Sequence, residues 1–198
     1  NVRESNNAQS TADTAKSNID NLSIGARNLI IRSQSTADAY YDQNGNYVTG
    51  TGAGTAAMNT YIPIEPGKQY TFSRSAGGGD FFRFNWYDSD KNYISRKAIT
   101  EIPDGAAGIF TWTAPDTAYY ILVSYPWDEV SKAKLERGNR ATDWTPAPED
   151  VQAGIEVVET RVTSAETKIT QNKESIESVA KRTTNVENKF SGYSATEQ

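Results

Sequence analysis

Cysteine and histidine are absent from the 198-residue chain. Their absence excludes thiolate nucleophiles, Ser-His-Asp triads, disulfide staples and the usual zinc sites. Stability must then come from a hydrophobic core or from association of copies. Of the catalytic chemistries, paired carboxylates or a Lys or Tyr base remain. No apolar run approaches the ~20 residues that cross a bilayer, so no membrane partner is expected. No Lys/Arg run is present, and the formal net charge is −5. Nucleic-acid binders show a basic footprint, so no such partner is expected either. The chain opens NVRESNNAQS, with no basic start, no apolar signal core and no initiator Met. It is therefore read as a piece of a longer protein.

What is present is unevenly placed. Aromatics make up 11% of residues, and all 4 Trp lie between Trp86 and Trp144. Tyr and Phe crowd the stretch from Tyr40 to Tyr125, whereas both ends are rich in Ala, Ser, Thr, Asn, Glu and Lys. This shift predicts three parts: an N-terminal coiled-coil stalk over 1–24, a β-sandwich over 25–147 and a C-terminal coiled coil over 148–198.

From Val151 onward the apolar positions step by four and three without a stutter through Phe190. A sustained 3.5-residue repeat marks a left-handed coiled coil. Ile155, Val162, Ile169, Ile176, Thr183 and Phe190 take position a. Val151, Val158, Ala165, Asn172, Val179 and Val186 take position d. Pro146 and Pro148 sit just ahead of the helix, and Glu149 and Asp150 suit its start, where the macrodipole favours acids. Leu is missing from the seam, and β-branched residues at both a and d favour three or four strands over two. A homotrimer is expected, held by Ile155, Val158, Val162, Ile169, Asn172, Ile176, Val179 and Val186. Asn172 is a lone polar seam residue of the kind that fixes register. An amphipathic helix packed on a globular domain is disfavoured by the length and the period. Ala8, Ala12, Ala15, Ile19 and Leu22 repeat the spacing more weakly. The Ala contacts bury little area, and Gly25 ends the helix.

Between Arg27 and Trp144 the period changes to two. Turn signals recur at Asp42-Gln-Asn-Gly45, Pro66-Gly67, the glycines at 77–79, Asp88-Ser-Asp-Lys-Asn92, Asp104-Gly105 and Pro115-Asp116. Between them strands are predicted at Asn28–Arg32, Tyr61–Ile64, Gln69–Ser73, Phe81–Tyr87, Tyr93–Ile99, Gly108–Thr113, Tyr119–Tyr125 and Ala133–Glu136. Short strands with frequent turns read as an antiparallel sandwich or jelly roll, a mainly β class. Alternation puts Phe82, Phe84 and Trp86 on one face of their strand, with Arg83, Asn85 and Tyr87 opposite. The expected core is Phe72, Phe82, Phe84, Phe110, Trp112, Ile121 and Val123.

A resemblance rests on four runs. The domain opens Gly25-Ala-Arg-Asn-Leu-Ile30 and closes Ala133-Lys-Leu-Glu-Arg-Gly-Asn-Arg-Ala-Thr-Asp-Trp-Thr-Pro-Ala-Pro-Glu-Asp150. Between them stand Tyr61-Ile-Pro-Ile-Glu-Pro-Gly-Lys-Gln-Tyr-Thr-Phe72 and Phe84-Asn-Trp-Tyr-Asp-Ser-Asp-Lys-Asn-Tyr-Ile94. Together they resemble the carbohydrate-binding-module-like jelly roll of tail, baseplate and receptor-binding proteins in phages of Gram-positive bacteria. The resemblance covers roughly 25–150. It implies a galactose-binding-like β-sandwich, a place on an extracellular virion tail, other tail or baseplate segments as partners, and host cell-wall polysaccharide as ligand.

A sugar site needs an aromatic platform and nearby polar groups. Trp127, between Pro126 and Asp128, is the candidate platform, and the rival reading folds it back to cap the sandwich. Tyr125, Tyr87, Arg83, Asn85 and Asp128 are the accompanying candidates. Trp144 is read as a packing anchor. Asp88-Ser-Asp-Lys-Asn92 has Tyr93 and Ile99 where a Ca²⁺ loop needs Gly and Glu, so a hairpin turn is the reading. No metal or cofactor is assigned. The glycines at 77–79 lack the Lys-Ser/Thr of a phosphate loop. Three functions compete. The first is a non-enzymatic saccharide-attachment module, and the second is a structural spacer without a ligand. The third is a two-carboxylate depolymerase drawing on Asp80, Asp88, Asp90, Asp128 or Glu129, whose spacing marks no pair.

Overall fold

A computed structural model describes the chain except residues 1, 21, 51, 53, 77–81, 104, 129–131, 197 and 198; for 2–6, 18–20 and 194–196 it describes the backbone alone. The glycine turn at 77–79, Asp80, Phe81, Asp104 and Glu129, and the side chain of Ile19, thus lie outside the described residues. Two compact units are present, Asn1–Val151 and Gln152–Gln198.

The first unit opens with helix α1, Val2–Asp20, whose Ala8, Ala12 and Ala15 are exposed. Among the described residues eleven strands follow: β1 Ser35–Ala37, β2 Ala39–Tyr41, β3 Tyr47–Thr49, β4 Thr55–Met58, β5 Ile62–Pro63, β6 Gln69–Arg74, β7 Phe82–Tyr87, β8 Tyr93–Ile99, β9 Gly108–Thr113, β10 Tyr120–Pro126 and β11 Lys134–Arg137. Every strand pairing is antiparallel. One sheet runs β1-β4-β10-β7-β8, with β5 also pairing β10; a second runs β11-β6-β9; β2 and β3 form a separate hairpin.

The two larger sheets pack face to face because period-two alternation turns aromatic rings inward from both. Phe72 of β6 stacks on Phe82 of β7 with ring centroids 3.7 Å apart, and Trp112 of β9 stacks on Phe84 at 4.3 Å. Ile121, Val123 and Leu135 close the same core. Of the expected core residues, Phe110 alone is only partly buried. Strands β8 and β9 have the predicted limits. The Asn28–Arg32 segment is instead irregular, followed by a 3₁₀ turn at Arg32–Gln34. Leu29 N donates to the Leu135 carbonyl at 2.7 Å, and the Asn28 Oδ1 accepts from Ile30 N at 3.0 Å and Leu135 N at 3.2 Å.

The β2–β3 hairpin roofs the outer face of the large sheet. Ala39 and Tyr41 pack on Ala57, Tyr87 and Leu122 as a second apolar cluster. The Tyr41 amide donates to Ser124 Oγ at 2.9 Å, and the Tyr41 hydroxyl to the Met58 carbonyl at 2.8 Å.

The opening and closing runs of the domain meet as a seam. Ser23 N donates to Asn139 Oδ1 at 3.0 Å, and Asn139 N returns a bond to the Ser23 carbonyl at 2.8 Å. A Cβ on Gly25 would fall 2.1 Å from the Arg137 carbonyl oxygen. Asn28 Nδ2 donates to the Thr145 carbonyl at 3.1 Å. The Asp150 carboxylate accepts from Arg32 N at 3.0 Å and Ser33 N at 2.7 Å, and Arg27 pairs with Glu149. The residues that carry the family resemblance are thus, in large part, the ones that tie the start of the domain to its end.

Helix α2, Pro148–Thr196, runs into the second unit. Its seam positions Ile155, Val158, Val162, Ile169, Ile176, Val179, Val186 and Phe190 are all exposed.

Candidate functional site

The roof over the large sheet decides the fate of three predicted site residues. Asn85 and Tyr87 face the hairpin and are buried. Asn85 Nδ2 donates to the Asp42 carbonyl at 3.2 Å. Burial pushes the Tyr87 hydroxyl up to about 12. Arg83 is half-buried on the same face, its guanidinium 5.3 Å from the Tyr40 ring centre. Burial, then the neighbouring Arg96, lowers its pKa.

The other three lie at the C-terminal end of β10 and just beyond it. Tyr125 is 1% exposed, and burial pushes its hydroxyl up to about 12. Trp127 is partly buried against the core, with the Arg32 guanidinium 4.3 Å from its ring centre. Arg32 also donates to the Trp127 carbonyl at 2.9 Å and the Asp128 carbonyl at 3.4 Å. Arg32 therefore covers one side of the Trp127 ring. The six residues form two separate groups, and none presents an open aromatic face.

The predicted hairpin turn has a twin. Tyr41-Asp-Gln-Asn-Gly-Asn-Tyr47 joins β2 to β3, and Tyr87-Asp-Ser-Asp-Lys-Asn-Tyr93 joins β7 to β8. In each the Asp carboxylate accepts two backbone amides and the Asn side-chain amide: Asn44 N, Asn46 N and Asn46 Nδ2 for Asp42, and Asp90 N, Asn92 N and Asn92 Nδ2 for Asp88. The Asn bond is the chief cause that holds both carboxyls below the ordinary 3.8. These carboxylates are occupied as turn staples. Among the described residues no group of three or more acidic side chains is placed to hold a metal ion.

Sequence reasoning missed the outer face of the small sheet. An open groove of about 610 Å³ lies there, lined by Ser73, Arg74, Ser75, Ala107, Gly108, Ile109, Lys132, Ala141, Thr142, Asp143 and Trp144. Trp144 is 40% exposed and Ile109 64% exposed. The Trp144 Nε1 donates to the Ala133 carbonyl at 3.3 Å, which orients the ring. Lys132 Nζ stands 5.7 Å from its centre. Lys132 has φ +43, a left-handed backbone that a non-glycine residue rarely adopts. Beneath the groove wall lies a buried pair, Lys134 and Glu136, 3.5 Å apart. Glu136 accepts from Thr142 N and Thr142 Oγ1, both at 2.7 Å, and Lys134 Nζ donates to the Asp143 carbonyl at 2.8 Å. Trp144 and Lys132 also border an enclosed cavity of about 170 Å³ that reaches Asn28, Arg32 and Tyr125. The available signal was a Trp in a polar loop beside a buried charge pair. Alternation could not show how much of that Trp remained exposed.

Fold and surface define a face-to-face antiparallel β-sandwich, with a long C-terminal helix whose apolar seam lies open. No protein-family model matches the chain. A tail fiber protein of Enterococcus phage phiEF24C is 27% identical over 135 residues, covering 68% of this chain and 7% of that protein. The chain therefore spans only a small fraction of the tail fiber protein it resembles. Two solved structures are similar. One, described as "BiXyn10A CBM1 APO", covers 60% of this chain and 89% of its own, at 11% identity and TM-score 0.28. The other, a "Family 16 Carbohydrate Binding Module-2", covers 53% and 80%, at 16% identity and TM-score 0.24. At these scores the two likenesses settle neither fold nor ligand.

Proposed function

We propose that the chain is a non-enzymatic, extracellular segment of a phage tail fibre. In this reading α2 assembles three copies as a coiled coil, and a jelly-roll sandwich attaches to host cell-surface saccharide. The N-terminal stalk is assigned to 1–24, the sandwich to 25–147 and the trimeric coil to 148–198, with other tail or baseplate segments beyond them.

One observation carries the reading. The seam of α2 keeps a 3.5-residue repeat of Ile and Val, yet Ile169 and Ile176 stand 67% and 69% exposed on the single chain. Exposed β-branched seams of this length are covered by copies of themselves, and Ile/Val at both a and d favours three. Similarity to a tail fiber protein supports the setting. Trimeric presentation lets weak glycan contacts add as avidity.

The spacer reading has its own support. Tyr125, Tyr87 and Asn85 are buried, and Arg32 covers Trp127. Two measurements decide. Light scattering of the purified chain, 21.8 kDa per copy, is expected to give a trimer mass, and a monomer rejects the coiled coil. Pull-down on Enterococcus cell walls is expected to retain the protein. An absence of retention leaves the spacer.

A further inference from the structure

We infer that the groove beside Trp144 is a saccharide subsite that takes a neutral pyranose residue. The inference rests on the attachment reading above and gives it a location. A pyranose ring needs a flat apolar surface for its C–H face and fixed donors and acceptors for its hydroxyls. The groove supplies both. Trp144 lines the groove and is 40% exposed, and Ile109 projects from edge strand β9 as a second apolar contact. Lys132 offers donors, the exposed Asp143 offers acceptors, and Ser73 adds a hydroxyl. Lys132 and Asp143 offset one another, and the Arg74 guanidinium is bonded to the Ala106 and Pro103 carbonyls, so the groove carries little net charge and suits a neutral sugar.

The wall is held rigid by an unusual device. A buried Lys–Glu pair is a poor source of stability, because desolvation offsets its attraction. Here Lys134 and Glu136 spend their hydrogen bonds on Thr142 and Asp143. That fixes the backbone leading into Trp144, whose own Nε1 is tied to Ala133. Preorganising a binding wall lowers the ordering cost of binding. The left-handed backbone at Lys132, retained without glycine, places its ammonium beside the indole. Trp144 thus borders the groove with its Nε1 tied to the Ala133 carbonyl.

The test uses the full chain. Methyl glucoside, methyl galactoside and methyl N-acetylglucosaminide are titrated in turn while the indole N–H resonances are followed by NMR. At least one is expected to move the Trp144 signal selectively. In parallel, retention on Enterococcus cell walls is measured. Trp144→Ala is expected to weaken it about tenfold or more. Lys132→Gly, which keeps the left-handed backbone without strain, is expected to weaken it several-fold, while Ile94→Ala on the other sheet changes nothing. Wall retention that survives both groove substitutions overturns the groove and leaves the attachment reading standing. No retention and no glycoside response overturn both. A glycoside response at Trp144 without wall retention supports the groove and removes the cell-wall reading.

Discussion

Ile121 and Val123 are wholly buried between the sheets, whereas Ile169 and Ile176 are about two-thirds exposed. The same residue types meet opposite fates in the two units. In the sandwich, alternation sends one face of each strand inward, and a second sheet arrives from elsewhere in the chain to cover it. On α2 the apolar stripe follows a 3.5-residue repeat, and the described residues of Gln152–Gln198 are all helix. A lone amphipathic helix gains little from burial, and isolated helices are marginal in water. One unit therefore completes itself, and under the function proposed above the other is completed by copies. On that proposal the contrast separates two kinds of stability, one fixed by the fold and one dependent on concentration.

The comparison can be broken first at the helix. The double substitution Ile169→Asp with Ile176→Asp is expected to turn the trimer into monomers and remove most helical signal. Sedimentation and circular dichroism check this, and the sandwich should still melt cooperatively. The reciprocal change is Phe84→Ala, which removes a ring stacked on Trp112. It should destabilise the sandwich by about 3–5 kcal/mol in urea titrations and leave the oligomer mass intact. Next comes the seam. Gly138 has φ +115, and an added Cβ would lie 2.4 Å from the Ser23 carbonyl oxygen. Gly138→Ala should therefore cost about 2–4 kcal/mol, again without touching the helix. A mass change on either sandwich substitution would show that the two stabilities are linked.

The smallest effect sharpens the comparison through pH. Tyr87 and Tyr125 are raised by burial from the ordinary 10.0 to about 12. A raised tyrosine pKa means that the neutral form is favoured in the folded state. Its stabilising contribution is complete below pH 10 and is lost as pH rises toward 12. The sandwich should weaken over that window, with tyrosinate absorbance rising as it melts, while the helix seam, which has no tyrosine at its a and d positions, is spared. Early ionisation of all tyrosines near pH 10 in a folded protein would contradict the burial.

Much of this was legible in the chain. The limits of β8 and β9 and the faces of β7 and β10 follow from alternation between aromatic and polar residues. The helix seam follows from its period alone. Strands β1 and β4 were missed for an equally plain reason. Ser35-Thr-Ala37 and Thr55-Ala-Ala-Met58 hold small residues with weak strand preference, and pairing with β10 and the covering hairpin decides them. The candidate site was legible only in type. Aromatics with polar neighbours were sought, but Tyr87 and Asn85 lie under a hairpin roof that no local pattern announces. Trp127 folds against the core beneath Arg32, and Trp144 stays 40% exposed.

The sequence by itself determined the periods: two in the aromatic centre, and 3.5 from Val151 to Phe190. Those periods set which residues share a face, because side-chain direction follows backbone geometry within a single element. Only the tertiary structure decided which faces are covered. Coverage depends on segments far apart in the chain, such as Tyr41 over Tyr87 or Arg32 over Trp127. It is coverage that leaves Trp144 facing solvent and takes Tyr125 out of reach.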